Sequence, residues 1–370
     1  MFKHLTNTTI LIAVVTLVSA CGPSASAVQP SATIISPPTT VGTSSSIAIS
    51  TSIPPTEAGP LSGTARAPTV DAITLETVDE IEPLQTLIGH EARVTELTFS
   101  GDGLYLASSS DDMTIKLWDT ESRELVHSFK MTMLDMKDIA FSPDGSLLAS
   151  GEAVWGVESK RELYTLERGG HFPAPVAFSP DGSLLAVALA NQPIQMWDVA
   201  SGQVVRTFER QADNVAFNIE FSPDGTLLAA GGLGGTVRLW DINTGRIANT
   251  LEYGDETGVH DIAFSPDGSL LASGGTVPTV RLWDVASGEV IKTMSLRDGL
   301  YSVVFSPDGT IVASAGGDQK AVLLWDVASG RLLRSLPHHD QLMAVAFSPD
   351  GKLLASAGYD KMIVLWGIPH

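Results

Sequence analysis

Short apolar runs separated by turn sequences fill the chain from about residue 81 onward. In the stretch that starts at His260, "HDIAFS" and "SLLASGG" are two such runs, and "TVRLWDV" and "EVIKTMS" are the next two. The "SPDG" between the first two suits a tight hairpin, because Pro presets φ, Asp can bond its own backbone and Gly accepts positive φ. The pattern predicts four short strands here, and no segment has a convincing helical period.

Near-copies of this unit occur seven times. The intervals between the repeated phenylalanines are 42, 37, 43, 43, 41 and 42 residues, and all seven tryptophans of the chain fall in the third run of a unit. The phenylalanines are Phe99, Phe141, Phe178, Phe221, Phe264, Phe305 and Phe347, and the tryptophans are Trp118, Trp155, Trp197, Trp240, Trp283, Trp325 and Trp366. The second unit is about five residues shorter before its tryptophan, so we expect it to be irregular.

The period of about 42, the four strands per unit and the "LWD" ending resemble the WD-repeat family of β-propellers. The resemblance covers about residues 82 to 370. It implies an all-β fold, a seven-bladed β-propeller of four-stranded antiparallel blades. Residues 81–370 are assigned to this propeller.

The two ends of the array indicate how the ring closes. The last unit ends at "MIVLWGIPH", after its third strand, and "PLQTLIGH" ahead of the first unit matches a fourth strand. We therefore predict that Leu84 to Leu87 complete the seventh blade, which leaves no open sheet edge. The small-residue runs "LASGG" and "LAAGG" are predicted to be the inner strands, where the blades converge.

The resemblance also implies a buried hydrogen-bond chain in some blades, from a loop His through a strand Ser and a turn Asp to the Trp indole. Its role would be structural, because a buried indole N–H needs an acceptor. Complete sets are expected in the first and seventh blades, which flank the closure. The first is His90, Ser108, Asp112 and Trp118; the second is Ser356, Asp360 and Trp366 with His339 or its neighbour His338, of which we assign His339.

The charge balance narrows the classes of partner. The chain has 22 Lys and Arg against 42 Asp and Glu, a net charge of −20. Nucleic acids and anionic lipid surfaces bind through basic residues, so neither is expected as a direct ligand. The ordinary consequence of such a charge is solubility.

The first 80 residues differ in composition from the rest. Lys3, an apolar run from Ile10 to Val18 and small residues before the single cysteine, Cys21, form the pattern of a signal peptide. "VSAC" resembles the bacterial lipobox, which implies cleavage after residue 20 and a lipid on Cys21. The alternative is an ordinary secretory peptide or a single anchoring helix. Residues 21–80 are rich in Ser, Thr and Pro and are predicted to be a disordered tether.

No catalytic, cofactor-binding or metal-binding set is predicted. The repeated "PDG" aspartates are interpreted as turn residues, and the histidines lack a ligand spacing. The loops before the first strand of each unit are the least alike, so recognition is expected there. The candidate interaction residues are Met131, Met133, Met136, His171, Phe172, Arg210, Tyr253, Arg297 and Tyr301. The alternative is that the methionines and aromatics cap the ends of the blades.

Two functions remain open. The first is a monomeric interaction scaffold, not an enzyme, anchored by lipid to a bacterial membrane on the extracytoplasmic side and binding unidentified proteins. The alternative is a propeller enzyme or small-ligand sensor with a site in the central channel or on the loop face. Converging carboxylates with shifted pKa values would favour the alternative, and a mixed apolar and aromatic surface would favour the scaffold.

Overall fold

Seven four-stranded antiparallel sheets form the part of the chain that the structure describes. The computed structural model describes residues 71–132, 138–166, 174–189, 192–209, 215–254 and 257–369. These ranges contain 28 strands and two short 3-10 turns, without an α-helix. The predicted all-β class, the seven blades and the four strands per blade are confirmed.

The strands are numbered in chain order. Their bounds are β1 Glu82–Ile88, β2 Val94–Phe99, β3 Tyr105–Ser110, β4 Thr114–Asp119, β5 Leu125–Lys130, β6 Ile139–Phe141, β7 Leu147–Ser150, β8 Ala153–Gly156, β9 Arg161–Thr165, β10 Val176–Phe178, β11 Leu184–Val187, β12 Ile194–Asp198, β13 Gln203–Phe208, β14 Ala216–Phe221, β15 Leu227–Gly232, β16 Thr236–Asp241, β17 Ile247–Glu252, β18 Val259–Phe264, β19 Leu270–Gly275, β20 Thr279–Asp284, β21 Val290–Ser295, β22 Ser302–Phe305, β23 Ile311–Ala315, β24 Ala321–Asp326, β25 Leu332–Pro337, β26 Leu342–Phe347, β27 Leu354–Gly358 and β28 Met362–Gly367. The 3-10 turns are Val78–Glu80 and Gly317–Gln319. The strands β6, β7 and β8 of the second blade have three, four and four residues; β10 and β11 of the third blade, which lacks no residues, are as short as β6 and β7.

The repeated "SPDG" builds the first hairpin of each blade, as in the fifth. Ser265 Oγ donates to Asp267 Oδ1 at 2.6 Å, and the Gly268 N–H donates to the Ser265 carbonyl at 2.8 Å. Gly268 has a φ of +72°, which favours glycine, and a Cβ there would lie 3.5 Å from Pro223 Cδ of the preceding blade. The phrase therefore sets both the turn and the contact between neighbouring blades.

The first strand of each blade lies innermost. β2, β6, β10, β14, β18, β22 and β26 neighbour one another around the ring, and the other strands follow outward. The expectation that "LASGG" and "LAAGG" are the inner strands is thus wrong: they are β19 and β15, second from the axis. Their glycines instead allow close packing on the neighbouring blade, since a Cβ on Gly274 would come within 2.2 Å of Leu300 Cδ2.

The hydrophobic core consists of apolar side chains packed between neighbouring blades. The repeated Phe264 and Trp283 of the fifth blade pack with Leu239 and Leu251 of the fourth. All seven tryptophans are buried. Because neighbouring blades cover both faces of the three inner strands, these strands are mostly buried on both sides, as the near-continuous apolar runs predict, whereas the outermost strands such as β13 and β21 are mostly exposed.

The N-terminal strand closes the ring. β1 pairs antiparallel with β28, so the prediction that Leu84 to Leu87 complete the seventh blade is confirmed. A further bridge joins Asp71 to Ile368. The seventh blade therefore contains both ends of the described chain, and hydrogen bonds between β1 and β28 hold it together where no continuous chain joins these two strands.

Residues 71–81, which we call the strap, pack beside this closure. Three of its apolar side chains are buried, Ile73, Val78 and Ile81. The Ile73 N–H donates to the Gly351 carbonyl at 2.8 Å, and Arg334 Nη1 donates to the Val78 carbonyl at 2.7 Å. The tether was predicted to run to residue 80, so its boundary is corrected: residues 71–80 already belong to the propeller, because their apolar side chains are buried there.

Candidate interaction site

The four side chains expected as a chain in the first blade meet there. Trp118 Nε1 donates to Ser108 Oγ at 2.9 Å, His90 Nε2 lies 2.8 Å from the same oxygen, and His90 Nδ1 lies 2.8 Å from Asp112 Oδ2. Every proton has an acceptor when the serine hydroxyl donates to Nε2 and Nδ1–H donates to the carboxylate. Burial lowers the pKa of His90 against the opposing effect of Asp112, which agrees with a neutral imidazole.

This Ser-His-Asp connectivity also occurs in hydrolases. Here, however, Ser108 is 0% exposed and its oxygen already accepts the Trp118 indole proton. A substrate has no path to that oxygen. The arrangement therefore serves to satisfy a buried indole donor.

The seventh blade uses His338, and the assignment of His339 is corrected. His338 Nδ1 lies 2.9 Å from Asp360 Oδ2, and its side chain is 0% exposed, whereas His339 is exposed. Adjacent residues of an extended segment point to opposite sides, so one of the two faces solvent. Trp366 Nε1 donates to Ser356 Oγ at 2.8 Å. Within the described residues neither ring nitrogen of His338 makes a well-formed hydrogen bond, so His338 and Asp360 are in contact while Trp366 and Ser356 form a separate hydrogen-bonded pair.

In the fifth blade a tyrosine takes the place of the histidine. The Tyr253 hydroxyl shares a hydrogen bond with Ser273 Oγ, to which Trp283 Nε1 donates at 2.6 Å. Arg281 lies over the Tyr253 ring at 4.3 Å, and burial raises the pKa of Tyr253 to about 12. Tyr253 is only 7% exposed, so its assignment as an interaction residue is corrected to a structural one.

The other candidate loop residues divide into three groups. Met131 is 6% exposed and belongs to the core between the first two blades, so it too is corrected to a packing residue. Arg297 and Tyr301 are exposed in the loop before β22. The remaining candidates lie outside the described residues: Met133, Met136, His171, Phe172 and Arg210.

Tyr301 belongs to a row of rings on the face that carries the divergent loops. The His260 ring stacks on Tyr301 with centres 5.4 Å apart and planes 3° apart, and Phe217 meets His260 edge-on at 5.7 Å. His260 Nδ1 lies 2.9 Å from the Leu300 carbonyl, which fixes the imidazole as a donor at that nitrogen. Three adjacent blades thus present one continuous aromatic surface.

The row continues toward the closure. Arg93 Nη1 donates to the Tyr359 hydroxyl at 2.9 Å, its guanidinium lies 5.2 Å from the ring centre, and its Nε donates to Asp111. Burial raises the pKa of Tyr301, and the nearby Tyr359 raises it further. The two hydroxyl groups are therefore close enough to influence each other's ionisation. We call these residues the rim arc: Phe217, His260, Tyr301, Tyr359 and Arg93.

Only Tyr301 of the rim arc was a candidate from the sequence. Phe217, His260 and Tyr301 each stand four residues before the repeated phenylalanine of their own unit. Aligning the seven units at that position would have revealed the row. The contact between Arg93 and Tyr359 joins the first and seventh units, which no pattern within one unit predicts.

A cavity of about 410 Å³ lies on the ring axis and is lined by residues of all seven innermost strands. Three carboxylates on these strands or directly before one accept hydrogen bonds from backbone N–H groups of the next blade: Asp138 from Val176 at 3.1 Å, Glu220 from Phe264 at 2.7 Å and Asp261 from Val303 at 2.7 Å. An innermost strand has no further strand to pair with, so these side chains satisfy its donors and connect adjacent blades.

A family model described as WD domain, G-beta repeat matches residues 81–119, 202–241, 246–284, 288–326 and 330–367, more than half of the chain. The chain belongs to the WD-repeat family. A model of the WD40 domain of anaphase-promoting complex subunit 4 matches residues 149–217, which include most of the second and third blades. The expected family is therefore confirmed.

Several curated proteins are similar to parts of this WD-repeat chain. The periodic tryptophan protein 2 homolog of Schizosaccharomyces pombe is 42% identical over 62 residues, 17% of this chain and 7% of the relative. COMPASS component SWD3 of Saccharomyces cerevisiae is 31% identical over 146 residues, 35% and 45% of the two chains. Guanine nucleotide-binding protein subunit beta-1 of Drosophila melanogaster is 26% identical over 111 residues, 28% and 32%. The WD-repeat chain spans less than half the length of each.

Three buried carboxyls near the channel of this WD-repeat propeller have raised pKa values. Burial raises the pKa of Glu220 to about 8, where the Phe264 N–H opposes the shift and Asp261 and Asp138 add to it. Burial likewise raises the pKa of Asp261 to about 7 and that of Asp138 well above its usual range. At neutral pH the group therefore carries less charge than three carboxylates would.

Two further properties bear on chemistry and location. Within the described ranges of the WD-repeat chain, no three His, Cys, Asp or Glu side chains are arranged to hold a metal ion. Over the same residues, the structure contains no helix with the length and hydropathy needed to span a bilayer.

Proposed function

We propose that this WD-repeat protein is an interaction scaffold that binds protein partners on the face carrying the rim arc. The observation that carries the proposal is the contiguous aromatic row in which the half-buried rings of Phe217 and His260 adjoin Tyr301, which is 36% exposed. Aromatic residues and Arg are enriched where proteins bind one another. Two of the relatives, a COMPASS component and a guanine nucleotide-binding protein subunit, are by name members of assemblies, which supports the same class of function.

A photo-crosslinking amino acid placed at Tyr301 tests this proposal in intact cells. We expect protein adducts at this position, because the side chain lies within the proposed contact surface. The matched control places the same amino acid at Val205, which is 58% exposed on the outer strand β13. Equal adducts at both positions, or none at Tyr301, would contradict the proposal.

The second candidate is a small-ligand or catalytic site in the channel. Its specific support is the convergence of Glu220, Asp261 and Asp138, whose pKa values are raised. Such shifts are typical of functional carboxyls, but structural networks also produce them. Each carboxylate here accepts a backbone hydrogen bond from the next blade, so its position has a structural cause. We therefore favour the scaffold.

We further propose that the scaffold is anchored by lipid at Cys21 on the extracytoplasmic side of a bacterial membrane. The support is the sequence pattern alone, with its short apolar run and "VSAC". Cys21 lies outside the described residues. The three relatives named above come from eukaryotes, so they offer no support for this part.

Replacing Cys21 with Ala should move the protein from the membrane fraction to the soluble fraction, because the acyl chains would have no attachment point. Fractionation followed by immunoblotting measures the shift. Ser24→Ala, three residues further along, is the control and should leave the protein with the membrane. A Cys21→Ala protein that stays in the membrane fraction would rule out the lipid anchor.

A further inference from the structure

Three members of the rim arc occupy the same position in the fourth, fifth and sixth repeat units. Phe217, His260 and Tyr301 start or precede the innermost strands β14, β18 and β22, so their rings lie side by side at one mouth of the channel. At the equivalent position the first and third blades have Thr95 and Ala174. The aromatic side chains therefore lie along one side of the channel mouth instead of all around it. A row of this kind suits an extended ligand better than one centred on the ring axis.

Acidic side chains border the exposed end of this row. Asp298 and Asp318 are exposed, the Asp318 N–H donates to Asp298 Oδ2 at 3.4 Å, and the Gln341 amide donates to the Asp318 carboxylate. Both carboxylates lie near enough to Tyr301 to raise the pKa of its hydroxyl. The Arg93 guanidinium has the opposite effect on that pKa, so two carboxylates and one guanidinium act on the Tyr301 hydroxyl, and this balance favours a further cation there.

The chain itself twice places a guanidinium on a tyrosine. Arg93 lies over Tyr359 at 5.2 Å and pairs with Asp111, and Arg281 lies over Tyr253 at 4.3 Å. An arginine between an aromatic face and a carboxylate is thus already accommodated at the rim arc. Tyr301, with Asp298 and Asp318 beside it, offers the same combination toward solvent.

We propose that the rim arc binds a basic, extended segment of a protein partner, with an Arg or Lys side chain lying against Tyr301 beside Asp298 and Asp318. This inference rests on the proposed scaffold function and names the chemistry of its partner. The aromatic faces attract the cation, and the two carboxylates pair with it. An acidic segment would be repelled by the same groups.

Binding of labelled decapeptides to the full chain tests the inference by fluorescence anisotropy. The probes alternate Gly with Arg, with Gln or with Glu. We expect the Arg peptide to bind most tightly and to weaken as salt is added. Tyr301→Leu, which keeps an apolar side chain but removes the aromatic face, should weaken its binding about five- to tenfold.

A second pair of variants measures how much the charges of Asp298 and Asp318 contribute to binding of the Arg peptide. Asp298→Asn with Asp318→Asn should weaken binding of the Arg peptide by a similar factor. Glu121→Gln with Glu289→Gln makes the same change in charge at exposed residues next to the outer turns, at the other end of the blades, and should change affinity less than about twofold.

Each other outcome has a distinct meaning. If the Gln or Glu peptide binds best and Tyr301→Leu abolishes that binding, the preference for a basic segment is wrong while the scaffold proposal stands. If crosslinks form at Tyr301 in cells but no Arg peptide binds, the inference fails alone. If Arg-peptide binding is unchanged by Tyr301→Leu and no crosslinks form there, both proposals fail.

Discussion

Deleting residues 1–89 will abolish cooperative folding of the propeller or lower its melting temperature sharply. β1 is the outer strand of the seventh blade, and its loss leaves β28 with an unpaired edge. The deletion also removes the buried side chains of Leu87 and of the strap. Full burial of such a side chain contributes about 1.5–3 kcal/mol, so several together approach the roughly 5–15 kcal/mol that stabilises a whole domain.

Two shorter deletions serve as matched controls for this experiment. Removing residues 1–70 keeps every described contact and should leave the melting temperature unchanged. Removing residues 1–81 deletes only the strap and should give an intermediate value. Thermal unfolding followed by circular dichroism ranks the three. If the deletion through residue 89 melts like the deletion through residue 70, the closure assigned to β1 does not stabilise the ring.

Replacing Glu220 with Gln should stabilise the protein at pH 8 and have little effect at pH 4.5. The pKa of Glu220 is raised by burial to about 8, from an ordinary value near 4.5. Between those values the unfolded chain loses the proton and the folded chain keeps it, so the stability of the native protein falls as the pH rises. Glutamine never ionises, and its carbonyl can still accept the Phe264 N–H. The gain at pH 8 should be on the order of a few kcal/mol.

Urea unfolding at several pH values between 4.5 and 8.5 measures this effect. Asp261, with a pKa of about 7, changes stability in the same direction, so the Gln variant should flatten the dependence only in part. Glu252→Gln, at an exposed residue of the outer strand β17, is the control and should leave the profile unchanged. A native protein whose stability does not fall over this range would mean that Glu220 is already ionised in the folded state.

The repeat predicted the ring because each unit carries its own strands, turns and packing residues. The first-blade chain from His90 to Trp118 was identifiable because its members recur at fixed positions in a family of known architecture. Counting from the first-blade set would also have selected His338, since His-to-Ser and His-to-Asp separations of 18 and 22 residues apply to both blades. Adjacent histidines are ambiguous only while the register of the strand is unknown.

Contacts between units were much harder to predict. The bonds from Glu220 to Phe264 and from Asp261 to Val303 join different blades, and neither acidic residue stands out by composition. Tyr253 was mistaken for a surface residue because it lies in a divergent loop, yet it fills the position that a histidine has in the first blade. Such contacts depend on how neighbouring blades pack against each other. They cannot be read from the residues of a single repeat unit.

The pairing of β1 with β28, together with the bridge from Asp71 to Ile368, brings the two ends of the described chain side by side. Circular permutation is therefore geometrically open to this molecule: a short linker could join these ends, and a new start could be placed in any solvent-facing turn between blades. Strand pairing alone joins β1 to β28 in the seventh blade, so closure of the ring does not require the two ends to lie in that particular blade.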